Sequence, residues 1–193
     1  MKRSLALVVS MLAIALATLA GCVPVMVGAA VGTTVMVVAD RRSAGAQLDD
    51  ESIELKFATQ ATQEFGNRVH VNVTSYNGIV LLTGEAPDDG VRTALGNIAK
   101  NIEKVRGVNN EMVIGLLSDF SARSNDTYIT SKVKSRMIEA NKFPPNAVKV
   151  VTERSVVYLM GLVSKDEGAA AAEIAATTAG VARVVTFYQY SKV

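Results

Sequence analysis

The sequence predicts an α+β fold made of two tandem copies of one small αββαβ unit. Each copy is a three-stranded sheet with two helices on one face, and both follow an N-terminal export signal and an apolar tether. Three observations carry this reading. An apolar segment repeats 77 positions on: Ile79-Val80-Leu81-Leu82-Thr83-Gly84 aligns with Val156-Val157-Tyr158-Leu159-Met160-Gly161. Val69-His70-Val71-Asn72-Val73 aligns at the same offset with Asn146-Ala147-Val148-Lys149-Val150, and Val105-Arg106-Gly107-Val108 pairs with Thr178-Ala179-Gly180-Val181 after a four-residue shortening. Hydropathy also switches between a period of two and a period near 3.6 in the same order within each copy.

The N-terminus reads as a targeting segment rather than as part of the fold. Lys2 and Arg3 precede an uncharged apolar stretch from Leu5 to Leu19, the layout of an export signal over residues 1–21. The stretch ends Leu19-Ala20-Gly21-Cys22, which resembles the lipobox at which bacterial lipoproteins are cut and acylated. Cys22 is the only cysteine in the chain, so it is the expected lipid-attachment residue, with palmitate among the acyl chains. No disulfide is available to the fold. Val23 follows, and the absence of Asp there points to the outer membrane rather than retention in the inner one. Residues 22–46 then form the acylated Cys and linker. Its apolar run, Val23 to Ala39, reads either as a membrane helix with a Gly28-to-Gly32 packing face or as a small-residue tether at the bilayer surface. Arg41-Arg42 reads equally as a headgroup contact or as solvated linker.

Residues 47–116 form the first unit. Asp49-Asp50-Glu51-Ser52 supplies caps before a helix carrying Ile53, Phe57, Ala61 and Phe65 on one side. Val69, Val71 and Val73 alternate with His70, Asn72 and Thr74 in a half-buried strand, and Asn77-Gly78 makes the hairpin turn. The next helix opens at Pro87-Asp88-Asp89 and spaces Val91, Leu95, Ile98, Ile102 and Val105 along one face. A last strand runs from about Asn110 to Gly115. A linker over residues 117–124 leads to the second unit, residues 125–193. There Asn125-Asp126 is the expected cap, strands form near Val148 and Val157, a helix runs through Asp166 to Thr178, and a strand covers Arg183 to Tyr190.

Composition argues against catalysis. The chain has one His, one Cys and no Trp, with aromatics at 5%. That leaves too little for a metal site, a thiol mechanism or a Ser-His-Asp triad, and no stacking platform for nucleic acid. No catalytic residue, metal or cofactor is expected. His70 reads as a sheet-face side chain, Asp88-Asp89 as a helix start, and Gly84, Gly161, Gly107 and Gly180 as residues at strand or helix ends. Loss of Lys2 and Arg3 with the signal leaves equal numbers of acidic and basic side chains, so net charge gives no case for nucleic acid.

An apolar strand ending in Gly, a helix, then Val-x-Gly-Val before a final strand resembles the BON domain. Two such units behind a lipobox resemble the two-BON outer-membrane lipoproteins. The likeness rests on Asp40-Arg41-Arg42, Gln47-Leu48-Asp49-Asp50, the run Asn125 to Val133, and Leu159-Met160-Gly161-Leu162-Val163. It implies a non-enzymatic protein anchored in the outer membrane through Cys22 and facing the periplasm. It further implies binding of anionic, phosphatidylglycerol-like phospholipid through the second domain and support of membrane integrity, with gathering at division sites. Docking onto the outer-membrane β-barrel assembly machinery or division proteins is the alternative.

The residues of the second unit carry a matching pattern. From Cys22 to Gly115 there are eight basic and eleven acidic side chains; from Leu116 onward there are ten basic and seven acidic. The half that suits an anionic surface is the second. On its first helix, Ile129, Val133, Met137 and Ala140 fall on the core side. Ile138 then points outward with Ser131 and Lys134 beside it, and Tyr128, Ser135 and Lys132 follow on the adjoining flank. An aliphatic, an aromatic with a polar tip, two lysines and two hydroxyls suit a headgroup boundary. The resemblance likewise places Tyr128, where Trp is common, and Ile138 at lipid-contacting positions. The expected phospholipid site is therefore Tyr128, Ser131, Lys132, Lys134, Ser135 and Ile138.

Overall fold

The computed structural model describes residues 40–191. The signal at 1–21, Cys22 and the run Val23–Ala39 lie outside the described residues. Among the described residues, no helix is long and apolar enough to cross a membrane.

The first unit runs α1 (Ala44–Phe65), a 3₁₀ turn (Gly66–Arg68), β1 (His70–Tyr76), β2 (Ile79–Ala86), α2 (Asp89–Asn101), β3 (Gly107–Asn110) and β4 (Val113–Ile114). The second runs α3 (Phe120–Ala140), a 3₁₀ turn (Pro145–Ala147), β5 (Val148–Glu153), β6 (Val156–Val163), α4 (Lys165–Ala176) and β7 (Arg183–Tyr190). In each, the second strand is central. β2 pairs antiparallel with β1 and parallel with β3 and β4; β6 pairs antiparallel with β5 and parallel with β7. The helix between the parallel strands makes the crossover they need. The expected last strand of unit one is split at Glu111-Met112, where Met112 turns into the core.

The helices cover one face of each sheet. Ile53, Phe57, Ala61 and Phe65 of α1 pack with Val80, Leu82, Leu95 and Ala99; Ile129, Val133 and Met137 of α3 pack with Val150, Val157, Leu159 and Ile174. Ala140, expected on the core side, is exposed because α3 ends there on Asn141 in the left-handed conformation.

The opposite faces of the two sheets cover each other. Tyr76 and Leu81 of the first sheet pack against Tyr158 and Met160 of the second, with Ile79, Val151 and Phe187 at the margin. This explains why β2 and β6 read as continuous apolar runs rather than alternating ones: both faces are buried. Residues 40–191 thus contain both helix-covered cores and the sheet-to-sheet core.

Three local assignments change. α1 is capped by Ser43 and α3 by Asp119, each accepting a hydrogen bond from the backbone N–H three residues on. The acids read as caps, Asp50 and Asp126, lie inside the helices and are buried. Asp50 accepts from the N–H groups of Asn77 and Gly78 at 2.6 and 2.8 Å; Asp126 accepts from those of Arg154 and Ser155 at 2.8 Å each. Each repeat therefore uses one helix carboxylate to hold its hairpin turn, whose two residues both have positive φ. Secondly, residues 120–124 of the expected linker are helical. Thirdly, Gly84 and Gly161 sit within β2 and β6 rather than at their ends. A Cβ on Gly84 would lie 2.0 Å from the His70 carbonyl oxygen, and one on Gly161 2.4 Å from that of Ala147. The backbone at the start of the neighbouring strand (His70) or just before it (Ala147) approaches too closely for any side chain.

Arg41 and Arg42 are neither free linker nor exposed cations. Arg41 forks onto both carboxylate oxygens of Glu167, at 2.6 and 2.7 Å, and also donates to the Leu162 carbonyl. Arg42 donates to Asp40 and to Asp50 and lies over the Tyr76 ring, 4.2 Å from its centroid. Both guanidiniums are consumed in tying the chain entry to the two units.

Candidate functional site on the outer side of α3

α3 is long, buried along Asp126, Ile129, Val133 and Met137, and open to solvent on the rest of its circumference. Two of the expected apolar contacts are exposed as a surface site requires: Tyr128 at 62% and Ile138 at 59%. Ser131, Lys134 and Ser135 are also exposed. These residues lie on one continuous strip, but the two lysines fall on opposite flanks of it. Two positions on a helix are about 200° apart, so Lys132 and Lys134 cannot share a face.

On one flank, Tyr128, Ser131, Lys132 and Ser135 look across a shallow groove of about 570 Å³ toward Thr177–Ala179, the turn between α4 and β7. Lys132 is held there. Its Nζ donates to the Ala179 carbonyl at 2.5 Å and sits 4.5 Å from the centre of the Tyr128 ring. Arg136 is spent on the same turn, donating to the Ile174 carbonyl and to the hydroxyls of Thr177 and Thr178. Ser131 donates its hydroxyl to the Thr127 carbonyl one turn back, which leaves its oxygen lone pairs outward.

On the other flank, Lys134 and Ile138 line a second groove of about 320 Å³ with Met137, Val148, Lys149 and Arg42. Its far wall belongs to the chain entry and to Tyr76 of the first unit. Lys149 bridges the units by donating to Glu54 at 2.9 Å, whereas Lys134 makes no side-chain hydrogen bond or ion pair among the described residues. The freest cation of the expected set is therefore Lys134, beside Ile138.

One apolar side chain was not foreseen. Phe120, at the start of α3, is 80% exposed. It lies 18 residues before Ile138, five whole turns, so both fall on the same line of the helix about 27 Å apart. Five-turn spacing is visible in the sequence, but the residue was hidden by assignment of residues 117–124 to a linker. Just before it, Leu116 and Leu117 are exposed as well.

Both repeats match a known family. Residues 49–115 and 125–190 each match the BON domain. The chain belongs to the BON-domain family. Outer membrane lipoprotein DolP of Haemophilus influenzae is 34% identical over 174 residues, covering 89% of this chain and 90% of its own. The 21 kDa hemolysin of Actinobacillus pleuropneumoniae is 35% identical over 153 residues, covering 78% and 79%. The C-terminal domain of CdsD, a structural protein of the Chlamydia trachomatis type III secretion system, aligns over 72% of this chain at 11% identity and a TM-score of 0.31. The first relative agrees with the reading of this chain as a two-BON outer-membrane lipoprotein, located at the outer membrane.

Proposed function

We propose that this protein is a non-enzymatic membrane-binding module, in which the second BON domain recognises anionic phospholipid through the outer side of α3. One observation carries the reading. Among the described residues, three of the four large apolar side chains exposed in the second domain (Phe120, Tyr128 and Ile138, with Tyr190 the fourth) stand on that one strip of helix. Hydroxyls of Ser131 and Ser135 lie between them, and Lys132 and Lys134 flank them. A bilayer surface offers the complementary order, with acyl edge for Phe120 and Ile138, interface for Tyr128, and phosphates for the lysines and hydroxyls.

The energies are modest. A lysine near an anionic surface contributes roughly 1 kcal/mol, and full burial of an isoleucine about 1.5–3 kcal/mol. Weak binding of this size suits a domain already held at the membrane by an acylated Cys22, since tethering raises its effective concentration there. In this reading the lipid contact orients the two domains at the periplasmic face of the outer membrane, supports membrane integrity and gathers the protein at division sites.

Sedimentation with vesicles tests this. The fragment from Asp40 to Val193, which contains all three cores, should pellet with phosphatidylglycerol-rich vesicles and stay in solution with phosphatidylcholine. Ile138→Glu should abolish pelleting while leaving the circular dichroism spectrum unchanged. Pelleting retained in full by this variant would put the lipid contact elsewhere. Absence of pelleting with either vesicle would favour docking onto outer-membrane β-barrel assembly or division proteins, for which exposed Leu116 and Leu117 beside the short edge strand β4 offer a surface.

A further inference from the structure

The chain's only histidine is not an isolated sheet-face residue. Folding brings His70 of β1 together with Glu85 of β2 and Glu153 at the end of β5, with one ligand-type atom of each within 4.8 Å of the others. Glu85 is fully buried and Glu153 is 5% exposed. In each carboxylate one oxygen is held by two donors and the other is more weakly held. Glu153 Oε2 accepts from Asn72 at 2.8 Å and from Thr83 at 3.4 Å, whereas Oε1 faces His70 Nε2 at 3.6 Å, too long for a hydrogen bond. Glu85 Oε2 accepts from the N–H and hydroxyl of Ser118, whereas Oε1 has only Arg154 Nη1 at 3.3 Å. That guanidinium belongs to a side chain 51% exposed and free to swing into solvent.

Two buried carboxylates thus meet one loosely held cation and one imidazole. Burial pushes the Glu153 carboxyl above its ordinary range, against the hydrogen bond from Asn72 and the attraction of His70. Nearby Asp126 adds further negative charge. We infer that His70, Glu85 and Glu153 form a binding site for a divalent transition-metal ion of the Zn²⁺ class, coordinated from both BON domains at once.

The donor set selects the ion. One imidazole nitrogen with two carboxylate oxygens suits Zn²⁺ and its neighbours, whereas Ca²⁺ and Mg²⁺ prefer all-oxygen shells. Bonds of about 2.0–2.2 Å in a tetrahedral site put ligand atoms about 3.4 Å apart, so side chains whose ligand atoms lie up to 4.8 Å apart must close by as much as about 1.4 Å. Two of the three ligands, His70 and Glu153, line a solvent groove with Asn72, Thr130 and Thr152, from which water would complete the shell. The site is a product of the pairing and not of the repeat. The positions equivalent to its three ligands at the 77-residue offset are Ala147, Leu162 and Tyr76, none of which matches. An ion there would clamp β1 and β2 of one domain to β5 of the other.

The test uses the full acylated chain in detergent micelles, without a histidine tag and stripped with EDTA. Calorimetric titration with ZnCl₂ should give one equivalent of Zn²⁺ per chain and a raised unfolding temperature. His70→Asn should weaken binding at least tenfold, Glu153→Gln likewise, and Arg154→Gln should tighten it by removing the competing guanidinium. In the unaltered protein the single imidazole should show Zn²⁺-dependent shifts in its ring NMR signals, a readout independent of whether any variant folds. No binding, ring signals unmoved by Zn²⁺, or undiminished affinity in both ligand variants would overturn the assignment.

Discussion

Replacing Asp50 by Ala removes the acceptor for four donors at once: the N–H groups of Asn77 and Gly78, the Ser75 hydroxyl at 2.6 Å and the Arg42 guanidinium at 2.7 Å. Gly78 and Ser75 are buried, so water does not readily replace the carboxylate. An orphaned buried donor costs about 1–3 kcal/mol, and a broken buried ion pair about 3–5 kcal/mol. These overlap in one side chain, which sets the expected loss at about 4 kcal/mol. The equivalent change in the second domain, Asp126→Ala, frees the amides of Arg154 and Ser155 only, and Arg154 is exposed. Water partly restores those bonds, so the expected loss is about 2 kcal/mol. Urea unfolding followed by circular dichroism measures both, with hydrogen exchange at the two turns assigning each loss to its domain. Equal losses, or a loss below about 1 kcal/mol for Asp50→Ala, would refute the reasoning that helix carboxylates hold the turns.

Three further substitutions have outcomes set by local geometry. Gly84→Ala must push a Cβ into the His70 carbonyl at a φ of +114°, and should lower stability by about 2–4 kcal/mol. Gly161→Ala meets the Ala147 carbonyl without the φ penalty and should cost less, about 1–3 kcal/mol; thermal unfolding ranks the pair. The forked hydrogen bonds from Arg41 hold the Glu167 carboxyl down at about 2, against an ordinary 4.5. A depressed carboxyl contributes stability above its unfolded value and loses it as pH falls through the folded one. The pH window is therefore about 4.5 down to 2, and Arg41→Ala should remove about 1 kcal/mol at neutral pH and flatten the acid slope there. An unchanged slope would mean that the pair contributes nothing.

The repeat, the order of elements within each copy and the core positions of α1 and α3 other than Ala140 were legible because both copies carry the same alternation and the same helix spacing. What the sequence concealed were relations that exist only after folding. Asp50 and Asp126 look like caps because each stands near a run of polar residues, yet each lies three positions before the first core isoleucine, Ile53 and Ile129, and so faces inward. Arg41 and Arg42 look like solvated linker because their partners are far away in the chain, Glu167 being 126 residues on. His70 and Glu153 likewise meet only because the two sheets pack face to face. The outward strip of α3 was readable from helix angles alone, since exposure on a long helix needs no tertiary information. Its division into two grooves was not, because the walls come from the α4–β7 turn and from the chain entry.

The most direct test of membrane contact by α3 exploits the absence of tryptophan from the chain. Tyr128→Trp places the only indole at the centre of the outward strip. With phosphatidylglycerol vesicles its emission should shift to the blue and become shielded from aqueous iodide, while phosphatidylcholine vesicles leave it unchanged. A spectrum indifferent to both vesicles, in a fragment that remains folded, would contradict insertion of this helix into the membrane surface.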